Sequence, residues 1–195
     1  MPLRRPNDIL LSAGHAPAYG ETPPDRPSMR AVGAAPIQFL DGHVPFPALV
    51  VDGRWDVVDA NLAVDSLVSG CAAESLEPPV NVLRLSLHPR GLAPRITNLP
   101  QWRERPLPRL DHRIRVTGDA ELGRPRAELA GYPGGTDRTP RYELAVPLRA
   151  DSGAGVLSFF STTTVFGTPM DVTVSDLAIE SFFPADAETA ELFNG

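Results

Sequence analysis

The longest pattern in the chain runs from Val156 to Phe166, VLSFFSTTTVF, where β-branched and aromatic residues occupy both odd and even positions. Such a run predicts a strand with both pleat faces covered, or with one face turned to a cavity. Gly167-Thr168-Pro169 ends it, because Gly permits positive φ and Pro removes a ladder donor. A second extended run, Leu177 to Phe183, follows and Pro184 stops it. Together they predict a hairpin-like pair at the centre of a sheet. The polar residues of this stretch are mostly Ser and Thr, so the pair carries no evident catalytic group.

Upstream, Ala48 to Val51 and Trp55 to Val58 are β-rich and flank Asp52-Gly53, a dipeptide suited to a tight hairpin turn. Asp59 or Asn61 is placed to cap a helix carrying Leu62, Val64, Leu67 and Val68. Val80 to Leu87 fills a helix or an extended segment, broken by His88-Pro89-Arg90-Gly91. Leu99 to Arg105 and Leu107 to Val116 are amphipathic helical pieces, interrupted at Pro106 and Pro108. Asp119 caps a further short helix to Ala130, Tyr132 to Arg141 is a loop, and Tyr142 to Arg149 returns as a strand before Asp151-Ser152-Gly153. Ala185 to Phe193 closes the chain as a helix. At the other end, a short helix from Asn7 to Ala13 stops at Gly14. A Pro-rich arm, His15 to Pro27, leads to a helix from Met29 to Gly42, capped by Ser28 and interrupted at Pro36. The order of two strands, several helices and three strands predicts an α+β fold, an antiparallel sheet covered on one face by the helical excursion.

Composition narrows the chemistry. The chain has no Lys, so all 18 basic residues are Arg, which excludes Schiff-base catalysis and a phosphate-loop lysine. Cys71 is the single cysteine, so neither an intrachain disulfide nor a Cys-rich metal site can form. The apolar run near the start, Ile9 to Leu11, is too short for a signal peptide, which predicts a soluble, cytoplasmic chain with no membrane partner. The net charge of -6 weighs against non-specific nucleic-acid binding. Arg84 to Arg126 holds ten Arg against four acids, while Glu143 to Gly195 holds only Arg149 against eight acids. Two oppositely charged surfaces follow, suited to a homodimer or an acidic ligand, or simply to solvated faces. No GxSxG, HExxH, phosphate-loop or GxGxxG pattern occurs, and the four His show no metal-ligand spacing, so no cofactor or metal is expected.

The segments VVDGRWDVVDAN, NVLRLSLHPRGLAPRITNL and GVLSFFSTTTVFGTPMDVTVSDLAIESFFPAD resemble the ligand-binding domain of MmyB-like transcription regulators over Pro45 to Phe193. The resemblance implies a PAS-like five-stranded antiparallel sheet, a small-molecule sensor working by population shift, and fatty acid as the kind of ligand seen in a relative. In that family the domain follows a helix-turn-helix of the xenobiotic-response-element type. Residues 2–19 are similar to the end of that DNA-binding domain, so 1–27 reads as its remnant plus a linker arm and 28–195 as the ligand-binding domain. The preserved piece is too short to read a DNA groove alone. The family's region after the Asn-Leu pair is usually one unbroken helix, and Pro106 and Pro108 depart from it.

A PAS-like cavity would lie between sheet and helices, lined by candidates Trp55, Leu87, Trp102, Phe159, Ser161 and Phe166, for each of which ordinary core packing is the alternative. His88, Arg90 and Arg95 share one loop and could hold a carboxylate by charge-assisted hydrogen bonds, or the loop could merely tie its own backbone together. Three functions remain open: a lipophilic or carboxylate-bearing ligand's sensor, a stand-alone enzyme on a lipophilic small molecule with His88 in acid-base work, and a ligand-independent dimerisation module.

Overall fold

The computed structural model describes residues 4–18, 36–135, 146–165 and 176–194. Five strands, β1 (Ala48–Val51), β2 (Val57–Ala60), β3 (Leu148–Asp151), β4 (Val156–Val165) and β5 (Ala178–Pro184), form one antiparallel sheet in the order β2-β1-β5-β4-β3. The expected central pair is present: β4 and β5 are in register from Phe159 opposite Pro184 to Val165 opposite Ala178, and β5 is the middle strand. The helices between β2 and β3 are α3 (Val64–Val68), α4 (Val82–Leu87), α5 (Leu99–Arg103), α6 (Pro106–Thr117) and α7 (Gly123–Gly131). Before the sheet come α1 (Arg4–Ser12) and a helix over 36–43, here α2; α8 (Ala187–Asn194) ends the chain. This is the PAS-like α+β arrangement.

The two faces of the sheet follow from the period-2 alternation of strand side chains. On one face Leu49 and Val51 pack with Trp55, Leu87 and Leu110 under the helical excursion. On the other, Ala48, Val50 and Ile179 pack against Leu40 of α2. Phe182 belongs to the excursion face and touches three of the four buried clusters, so it is the common wall between them.

Several expectations are corrected by the local physics. The β1–β2 connection is not a two-residue Asp52-Gly53 turn. It is a loop from Asp52 to Asp56, closed by Asp52 N–H to Asp56 O (3.0 Å) and by the Asp52 carboxylate accepting from the Arg54 and Asp56 N–H groups. Trp55, not Gly53, takes the positive φ of 64°, and β2 starts only at Val57. Neither Asp59 nor Asn61 caps α3 by its side chain. Asn61 is buried and bonds outward, accepting from Ala48 N–H (3.1 Å) and donating to Phe46 O (2.9 Å) and Leu40 O (3.2 Å).

Pro106 and Pro108 interrupt nothing. Both stand in the first turn of α6, where a missing N–H has no intrahelical acceptor to lose, so they start the helix. α1 begins at Arg4, ahead of the expected Asn7, and ends on Gly14 at φ 78°, with His15 N–H to Leu10 O and Gly14 N–H to Leu11 O completing a Schellman stop. β3 runs to Asp151, so the turn before β4 moves to Ser152–Gly155, where Gly153 takes φ 80°. The expected Ser28 cap, the first half of the 29–42 helix, the start of the strand at Tyr142 and the Gly167-Thr168-Pro169 stop lie outside the described residues.

Candidate functional site

Between the excursion face of the sheet and helices α3 to α6 lies a cavity of about 240 Å³. Almost every element contributes to its wall: Leu49 of β1, Val57 and Ala60 of β2, Leu67 and Val68 of α3, Leu83 and Leu85 of α4, Trp102 of α5, Pro106 of α6, Leu148 of β3 and Phe182 of β5. Burial of so much aliphatic and aromatic surface around an open space favours an apolar occupant.

The backbone of Trp55 fixes its place in this wall. A non-Gly residue at positive φ costs of order 1 to 3 kcal/mol and persists only where its surroundings over-determine it. Here Trp55 N–H is held by Asp52 O (3.0 Å) and Trp55 O by Val82 N–H (2.9 Å), tying the loop to the start of α4. The Arg113 guanidinium lies 5.3 Å from the indole centroid and covers its far side. Trp102 is positioned by its neighbour Arg103, which is buried and donates to the carbonyls of Leu129 (3.2 Å), Ala130 (2.9 Å) and Tyr132. That guanidinium caps the end of α7, where carbonyls lack intrahelical donors and the helix dipole favours a cation.

Apart from Ser86 of α4, the polar residues of the wall are Ser161 of β4, Glu180 of β5, Arg105 just ahead of α6 and Arg109 within it. Glu180 is buried, and its carboxylate accepts from Arg109 (3.0 Å) and from Thr163 Oγ1 (2.6 Å). Arg105 donates to Val146 O (2.7 Å) and lies 5.6 Å over the Trp102 ring, and among the described residues no carboxylate pairs with it. Burial first, and then the neighbouring Arg109, pull its pKa below the ordinary arginine value; it remains a cation all the same. The Trp102 Nε1–H is buried without an acceptor among the described residues. Two guanidiniums therefore share one carboxylate in this corner, and Trp102, also in the wall, brings an orphan donor.

The sequence candidates separate clearly. Trp55, Trp102 and Ser161 line the cavity. Leu87 and Phe159 are fully buried in side-chain clusters, Phe159 against Phe193 (5.5 Å) and Phe182 (6.2 Å), and are not part of the cavity wall. His88, Arg90 and Arg95 do not gather around one point. His88 Nδ1 accepts from Arg90 N–H (3.0 Å) and its ring meets Tyr132 edge-on at 5.0 Å. Arg90 pairs with Glu74, and Arg95 donates to Asp151 O (2.7 Å), Leu67 O (3.0 Å) and Ser69 O. Arg95 thus ties backbone across the loop. Phe166 lies outside the described residues.

Arg105, Arg109 and Glu180 were not singled out by sequence reading. The signal available was the period of four between the two arginines, which places both on one helix face; nothing local marks Glu180, whose value depends on strand pairing. A second hollow, of about 450 Å³, is bordered by six charged side chains, four of which are already paired, Arg54 with Glu121 and Arg84 with Glu128. Among the described residues no group of three or more His, Cys, Asp or Glu could hold a metal ion, and no helix is long and apolar enough to cross a membrane.

Comparison with known proteins adds one finding. Residues 32–194 match the MmyB-like transcription regulator ligand binding domain family, a span that begins ahead of the Pro45 at which the resemblance was first legible. No curated protein matches the chain.

Proposed function

The chain belongs to the MmyB-like transcription regulator ligand binding domain family, and from that premise we propose that it binds a lipophilic carboxylic acid in the cavity under the excursion, the acid head on Arg105 and Trp102 Nε1. The observation that carries this reading is the Arg105 cation, without an ion-pair partner within reach among the described residues, set against an apolar wall that also holds the Trp102 indole, whose N–H has no acceptor among those residues. A carboxylate supplies both what the guanidinium and what the N–H lack, and hydrogen bonds to charged groups contribute about 1.5 to 3 kcal/mol each. The aliphatic tail is then covered by Leu, Val and Phe side chains at about 0.8 kcal/mol per buried methylene. A volume of about 240 Å³ falls below the roughly 300 to 1,000 Å³ of drug-sized pockets, so a medium-length chain suits it better than a long one.

No bond is made or broken in this reading; the ligand acts by its differential affinity for two states of the domain. Both tryptophans of the chain, Trp55 and Trp102, line the cavity, so intrinsic fluorescence reports occupancy directly. Titration with decanoate and with methyl decanoate tests the proposal. Decanoate binds saturably to the unaltered protein, and Arg105→Met weakens it about tenfold or more, a loss of roughly 1.4 kcal/mol, while leaving the ester's weaker binding unchanged. Equal affinity for acid and ester, or no effect of Arg105→Met, would remove the carboxylate from the account.

A further inference from the structure

The residues that bolt α2 to the sheet are attached to the cavity wall from behind. His43, on α2, bonds through Nε2 to the carbonyl of Phe182 at 3.0 Å. Since a carbonyl only accepts, Nε2 carries the proton. The ring itself is held by Phe183 edge-on at 4.8 Å and by Phe39 stacked at 6.1 Å. Phe182 turns its side chain the other way, into the cavity. The second bolt is Asn61, whose neighbour Ala60 lines the cavity and whose amide spans Leu40 O, Phe46 O and Ala48 N–H. Asn61 is buried with its amide oxygen and nitrogen both bonded, and His43 is half-buried between aromatic rings, so the geometry of both tolerates little displacement. A shift of Phe182 or Ala60 as the cavity fills therefore reaches α2 directly through two directional contacts.

We propose that His43 and Asn61 form a latch that transmits occupancy of the cavity to α2, the helix that joins the sensor wall to the N-terminal part of the chain. The inference rests on the cavity being a ligand site. Packing alone would pass the change on diffusely; hydrogen bonds to Phe182 O and Leu40 O pass it to one helix. The two states of the device are α2 held at both bolts and α2 with the His43 contact loosened.

The test is hydrogen exchange of the full chain with and without saturating decanoate, occupancy being followed by tryptophan fluorescence. In the unaltered protein, exchange across 36–47 changes at least threefold on binding. His43→Phe keeps the aromatic packing and loses the hydrogen bond; it binds decanoate within twofold of the unaltered protein, its exchange still changes over 82–87, and the change at 36–47 disappears. A response at 36–47 that survives in His43→Phe overturns the latch, as does a bound protein that responds at 82–87 and never at 36–47. Should decanoate leave the fluorescence unchanged, the ligand reading itself fails, and Ser161→Phe fills the cavity without a ligand, directly beside Phe182. Exchange at 36–47 that changes in Ser161→Phe and reverts in the double variant with His43→Phe supports the latch; exchange at 36–47 that is the same with and without Ser161→Phe overturns it.

Discussion

The Arg109 guanidinium donates to the Glu180 carboxylate at 3.0 Å, tying α6 to the middle strand of the sheet across the polar corner of the cavity. Thr163 Oγ1 donates to the same carboxylate oxygen at 2.6 Å. Both bonds fall on Glu180 Oε1, while Arg105, one helical turn earlier, lines the cavity without an ion-pair partner among the described residues. Glu180→Gln removes the competing negative charge and releases Arg109 toward the ligand. Decanoate affinity then rises on the order of tenfold, the size of one added charged hydrogen bond of about 1.5 kcal/mol. Fluorescence titration checks it, and a weaker variant would show that Glu180 holds Arg109 in the binding geometry instead.

Phe159 separates stability from binding. Its side chain is wholly inaccessible, is not part of the cavity wall, and packs on Phe193 and on Phe182 behind that wall. Phe159→Ala costs about 3 to 5 kcal/mol of stability, measurable by urea denaturation, because the transfer and cavity terms add. The preference for acid over ester is unchanged, since Phe159 is not one of the polar residues of the cavity wall.

Gly91 is required by close approach. A Cβ at this position would stand 2.2 Å from the Leu85 carbonyl oxygen, which accepts the Leu92 N–H at 2.8 Å. Gly91→Ala forces the chain off α4 and costs about 1 to 3 kcal/mol. A thermal melt reads this as a fall of roughly 2 to 4 °C per kcal/mol for a chain of this size.

Acid stability carries a mark from Glu128. The bidentate hydrogen bonds from Arg84, at 2.8 and 2.9 Å, are the largest cause of its pKa falling to about 2. In the unfolded chain a glutamate titrates near 4.3. The folded value is the lower one, so the pair's contribution is present above about pH 4.3 and is lost as pH falls toward 2. Both side chains are more than a third exposed, and screening limits the contribution to about 1 kcal/mol or less. Glu128→Gln flattens that part of the stability profile between pH 4.3 and 2. A profile as steep as that of the unaltered protein would assign the acid loss to other carboxylates.

Much of the fold could be read from periodicity because it is set locally. The β4–β5 pair, the helix stop at Gly14 and the two pieces α5 and α6 rest on strand alternation, a positive φ and the 3.6 period. The misreadings occur where a residue's local preference is overridden by a distant partner. Asp52-Gly53 has the chemistry of a two-residue turn, but the Asp52 carboxylate gathers two N–H groups, and Val82 holds the carbonyl of Trp55. Asn61 has the chemistry of a helix cap, yet its donors and acceptor serve residues 13 to 21 positions away.

The site was legible in its apolar half and not in its polar half. Trp55, Trp102 and Ser161 stand out by type and by strand or helix face, and all three line the cavity. The loop of His88, Arg90 and Arg95 concentrates charge in sequence, but backbone carbonyls and Glu74 take up the two arginines. Arg105 and Arg109 looked like two more cations in an arginine-rich stretch. Their role depends on the middle strand bringing Glu180 beneath one of them, a relation of |i−j| = 71 that no local pattern encodes.

The most direct measurement is native mass spectrometry of the purified full chain, before and after solvent extraction and after addition of decanoate. A lipophilic-acid cavity predicts either a co-purified acid released by extraction in one-to-one amount, or a saturable one-to-one decanoate adduct accompanied by a rise in thermal stability. A chain that carries nothing, forms no adduct and melts at the same temperature across a panel of acids of different lengths contradicts the account.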